Sequence, residues 1–64
     1  MSRMTVFSLF SGADVISEFD TLAEAERALD EAVAADPSTA AELAVIEFDE
    51  HGERVGKPIT RAAA

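Results

Sequence analysis

The sequence predicts an α+β domain of element order ββαββ, with one main helix packed on one face of a four-stranded, mainly antiparallel sheet. Three observations carry this. A capping signal opens a cleanly amphipathic stretch from Thr21 to about Ala35. Strand-like segments split by turn residues lie on both sides of it. Together these elements take up nearly all of the 64 residues, so a single domain spans 1–64.

The first strand is predicted over Met4–Phe10, where β-branched and aromatic residues suit a pleated surface. Phe7 and Leu9 point one way and Met4, Val6 and Phe10 the other. Both faces are apolar, which predicts a central strand. Ser11-Gly12-Ala13-Asp14 supplies a turn. Val15–Phe19 then alternates, with Val15, Ser17 and Phe19 against Ile16 and Glu18.

Thr21 followed by Glu24 has the spacing of a capping box. At 100° per residue, Leu22, Ala25, Ala28, Leu29, Ala32 and Val33 share one face. Glu24, Glu26, Arg27, Asp30 and Glu31 share the other. Pro37 ends the helix, because the residue before a proline is pushed out of helical geometry. Asp36-Pro37 also opens a new turn, with Asp as N-cap and Pro at the first position, so 37–42 is read as one short helical turn.

Leu43–Phe48 is the second strongly apolar strand. Ala44, Ile46 and Phe48 form one face; Leu43, Val45 and Glu47 form the other. Glu50-His51-Gly52-Glu53 supplies a turn. Arg54–Ile59 reads as an edge strand, because Pro58 cannot donate to a ladder and Lys57 is typical of an edge. Residues 60–64 are expected to form a flexible tail.

Placing the two most apolar strands in the middle gives the order 2-1-3-4. A right-handed crossover then joins strands 2 and 3 across strand 1. The β-grasp-like order 2-1-4-3 shares the same element sequence but puts the Pro58 strand in the centre. One helix covers only one side of such a sheet. Phe7, Leu9, Val15, Phe19, Ile46 and Phe48 are expected beneath it. Met4, Val6, Phe10, Ile16, Leu43 and Val45 are expected on the open side, as an interface. An apolar patch of that size invites a partner, and a second copy stacked sheet to sheet would cover it. On this placement Val6→Asp and Val45→Asp are equivalent, each separating a dimer and leaving the helix intact.

Size limits what the core supplies. A chain this short rarely draws more than about 3–5 kcal/mol from its core without help. With no Cys, that help is neither a disulfide nor a thiolate-bound metal. Oligomerisation is the remaining candidate. No run approaches the roughly 18 apolar residues of a membrane span. No continuous apolar stretch follows Met1-Ser2-Arg3, which predicts a cytoplasmic protein without a signal peptide.

The net charge of −8 is unevenly spread. All thirteen acids lie between Asp14 and Glu53, where Arg27 is the only base, leaving that segment at −12 and the flanks at +4. Such a surface repels phosphate backbones, so nucleic acid is not an expected partner. A basic protein is, as an alternative to a second copy. Acidity also keeps a small protein soluble.

Nothing in the pattern points to an enzyme. None of the serines sits in a nucleophile elbow. His51, the sole histidine, falls at a hairpin tip, where no pocket excludes water. Glu18 and Glu47 are the only acids expected to project together from the open face, and they read as its rim. Asp49-Glu50-His51-Gly52-Glu53 lacks the twelve-residue ligand spacing of a calcium loop. The glycines are isolated and form no phosphate cradle. No cofactor or metal is expected.

Two resemblances accompany this reading. Phe19–Ala25, continuing through Asp36-Pro37 to Leu43–Asp49 and Gly52, resembles a group of small actinobacterial proteins of unknown function, which implies no activity. Asp20-Thr21-Leu22-x-Glu24-Ala25 is similar to the strand-to-helix junction of HicB-like antitoxins. Those have a partial RNase H-like fold with three strands before the helix, where this chain has two, and a Pro-Gly-Cys-type segment that is missing here. That resemblance implies an acidic antitoxin or inhibitor acting on a basic protein.

Overall fold

Thr21 starts the helix as its sequence requires. In the structure, a computed structural model that describes residues 5–61, its hydroxyl accepts a hydrogen bond from the Glu24 N–H at 3.2 Å. The helix α1 runs over Leu22–Ala35. Before it come strands β1 (Val6–Ser11) and β2 (Asp14–Phe19); after it come β3 (Leu43–Phe48) and β4 (Arg54–Ile59). The sheet order is β2-β1-β3-β4 and every neighbouring pair is antiparallel. The β-grasp-like order is not adopted. Thr21→Ala removes a cap and should cost about 1 kcal/mol, read as a lower midpoint in urea with an unchanged slope.

The turn chemistry matches the residues. Gly12 takes φ +63 at the first central position of a two-residue hairpin loop, the glycine-first pattern of a II′ turn. Its N–H donates to the Glu42 carbonyl at 2.9 Å, tying this hairpin to the entry of β3. Asp36 caps a short 3₁₀ turn at Pro37–Thr39, its carboxylate accepting from the Ser38 N–H and hydroxyl. On the helix surface Arg27 pairs with Glu31 at 3.4 Å, both highly exposed, so that pair adds only some tenths of a kcal/mol.

Leu9, Ala25, Leu29, Leu43 and Val45 form the buried core, with Phe7, Phe19, Ala28, Ala32, Val33 and Ile59 packed against it. This corrects the expected faces of β3. Leu43 and Val45 lie beneath the helix, not on the open side. The cause is the register with β1, which sets Leu9 opposite Val45 and Val6 opposite Phe48. Directly paired residues share a face, so Ile46 and Phe48 turn to the open side. Glu47, opposite Phe7, joins the helix side, where it remains partly exposed. Its charge is accommodated at the margin of that face.

Val15 is the second correction. Ser17 pairs with Leu9, but Val15 pairs with Phe10, leaving Ile16 as an extra residue in β2. This bulge breaks the alternation that would put Val15 on the same face as Phe19 and Ser17. Val15 therefore joins Phe10 on the open face. A second irregularity spaces β4: two steps along β3, from Val45 to Glu47, match four along β4, from Ile59 to Val55. Gly56 takes φ +72 in that stretch, which also holds Pro58.

Met4 and residues 62–64 of the expected tail lie outside the described residues. The start of that tail is held: Arg61 Nε reaches Asp30 Oδ1 at 2.7 Å, joining it to the helix surface.

Candidate functional site

The side of the sheet away from α1 bears an open trough of about 450 Å³. β1 supplies Val6, Ser8 and Phe10, β2 supplies Val15 and Glu18, and β3 supplies Phe48. Asp49, Glu50 and Gly52, in the turn between β3 and β4, close one end. The strand period of two explains the first set, since Val6, Ser8 and Phe10 all point to one face.

Phe10 and Phe48 meet with ring centroids 6.2 Å apart and planes tilted at 46°. Such tilted contacts add up to about 1 kcal/mol beyond simple burial. Ser8 and its partner Ile46 lie between the two rings along the ladder. Ser8 is only 2% exposed although it faces the open side, because its short side chain sits low among larger neighbours. The floor is thus apolar and preformed.

The rim is acidic. Glu18 is exposed at the β2 side. Asp49 is committed to its turn, with one carboxylate oxygen accepting from the His51 N–H at 2.8 Å and the Glu53 N–H at 3.0 Å. Glu50 lies 3.5 Å from His51 Nε2. The His51 side chain is 75% exposed, a solvated position at a loop tip. Among the described residues, no group of three or more His, Asp or Glu is arranged to hold a metal ion. No described helix is long and apolar enough to cross a membrane.

Of the residues assigned to the open face from the sequence, Val6 and Phe10 line the trough. Ile16 sits at the β2 bulge, 53% exposed. Leu43 and Val45, 4% and 0% exposed, are core. The residues that replace them are Val15, Ile46 and Phe48. Only the long-range pairing of β1 with β3 identifies the last two. Glu18 and Glu47 fall on opposite sides of the sheet, so they form no carboxylate pair.

The trough offers apolar contact, one shielded hydroxyl and carboxylates at its margin. No protein-family model, curated protein or solved structure matches this chain.

Proposed function

We propose that this protein is a non-enzymatic interaction module that forms a homodimer by stacking the open faces of two sheets. The observation that carries the reading is the preformed apolar floor of Val6, Phe10, Val15 and Phe48 on the side that α1 leaves bare. Its chain has little core of its own, with five buried apolar residues among those described, and burial between two copies adds to that core. A chain without cysteine has few other means of gaining stability.

The face is small. Four strands at about 4.8 Å and six residues at about 3.3 Å make a rectangle of roughly 20 by 20 Å. Two such faces bury about 800 Å², less than the roughly 1,200 Å² of standard interfaces and in the range of weak, transient ones, so the expected dimer dissociates in the micromolar range or above. Light scattering coupled to size exclusion tests it. A mass of twice the chain's 6.8 kDa, falling on dilution, supports the dimer. A monomer at hundreds of micromolar overturns it.

A second reading follows from the rim. Glu18, Asp49 and Glu50 border the trough, and the whole chain carries −8. An acidic inhibitor or antitoxin would use this combination to hold a basic protein, with the apolar floor supplying affinity and the rim supplying steering. Its mark would be a monomer that binds a basic partner in a strongly salt-dependent way.

A further inference from the structure

We propose that the two copies stack with their strands parallel, related by a two-fold axis running along the strands, so that the acidic β2 edge of each sheet lies over the basic β4 edge of the other. This rests on the homodimer reading and adds its orientation. The occupant of the open face is a second copy of this chain.

The two edge strands carry opposite charge. β2 carries Asp14 and Glu18 and no base; β4 carries Arg54 and Lys57 and no acid. Glu18 pairs with Ser8 and lines the trough, which fixes it on the open face. Arg54 pairs with Phe48 and shares that face. Lys57 sits in the irregular stretch of β4, and both bases are exposed. The outer strands of a four-stranded sheet are about 14 Å apart, so acid and base on this face are well separated within one copy.

A symmetric dimer presents the same patch from both copies. With strands roughly aligned, as stacked sheets usually are, only two orientations remain. With the axis across the strands, each strand lies over its own copy. Glu18 is level with Ser8, midway along the series Val6, Ser8 and Phe10, so it would face Glu18 of the partner subunit. With the axis along the strands, β2 lies over β4 and β1 over β3. Glu18 then faces the irregular stretch of β4 that carries Lys57, with Arg54 two ladder positions along, level with Phe48. Long basic side chains span the roughly 10 Å between stacked sheets.

Asp49 and Glu50 favour the other orientation, which would move the two acidic turns to opposite ends. Their pull is weaker. They lie past the strand ends in water, where salt screens them, and both are engaged within their own turn. Glu18 would be stacked against its own copy at the centre of the β2 edge. Pairs of this kind add little affinity, but they penalise the wrong orientation.

Charge reversal tests the orientation. Dimer dissociation is measured at low salt for the native chain, for Glu18→Lys, for Arg54→Glu with Lys57→Glu, and for all three changes together. Far-UV circular dichroism checks that each remains folded. Reversing either edge alone is expected to weaken the dimer about tenfold, because two symmetry-related contacts turn repulsive. Reversing both should restore the native value to within a factor of about two. If the native chain dimerises but the triple variant is no tighter than the single-edge variants, the orientation is wrong and the dimer stands. A dimer that tightens on Glu18→Gln places Glu18 against its own copy and overturns the orientation too. A native chain that is monomeric throughout overturns both.

Discussion

Leu29→Ala is expected to leave most of the protein unfolded at 37 °C. Leu29 is fully buried, at the centre of the contact between helix and sheet. Its neighbours in the core are Leu9, Ala25, Leu43 and Val45, and Ala25 is already the smallest side chain that keeps a Cβ. Truncations of this kind cost about 2–5 kcal/mol, the larger values where the site fails to collapse. A chain of this size rarely has more than about 3–5 kcal/mol in total. The loss is therefore comparable with the whole stability. A thermal melt followed by far-UV circular dichroism should show the midpoint falling by more than about 10 °C. The melt must be run at one protein concentration, because dimerisation makes the midpoint depend on it. A midpoint within about 3 °C of the native chain would show that the helix is not seated on β1 and β3 through this residue.

The sequence contained the elements and their order because those rest on local chemistry. Thr21 and Glu24 mark the helix start, Pro37 marks its end, and the apolar stripe from Ala25 to Val33 is the stripe that the structure packs against the sheet. The two most apolar strands predict the order 2-1-3-4, Pro58 and Lys57 speak for the last strand at an edge, and the sheet has that order. The candidate site was less legible, for two physical reasons. β3 is apolar on both faces, so the pattern Leu43, Val45 against Ala44, Ile46, Phe48 fixes which residues go together but not which set meets the helix. Glu47 shares the face that meets the helix, because a strand margin tolerates a partly exposed acid. In β2, alternation pointed Val15 towards the helix, and one extra residue reversed it. A bulge of that kind follows from pairing with β1, and no turn residue announces it. Val6 and Phe10 were placed on the open side because β1 is the reference strand from which both errors are measured.

The same correction makes two substitutions that looked equivalent diverge sharply. Val45→Asp is expected to abolish folding, and Val6→Asp to abolish dimerisation alone. Val45 is 0% exposed, paired with Leu9 on one side and Ile59 on the other, under the helix. A carboxylate there has no partner and no water, and burying it costs more than this domain has to lose. Val6 is partly exposed on the open face, opposite Phe48. In the monomer an aspartate at that position keeps its hydration, so helix content should change little, and the midpoint should match that of the native chain diluted to its monomer. In the dimer it enters the apolar floor twice, once from each copy, beside a rim that already carries Glu18, Asp49 and Glu50. Association should weaken more than about 100-fold, since two charges lose water without gaining a partner. Circular dichroism and light scattering on both variants separate the outcomes. A folded Val45→Asp would mean that β3 is paired one residue out of register, which exchanges its two faces. An unfolded Val6→Asp would mean that the trough floor is part of the core that a single chain needs, and that the open face is not free to serve as an interface.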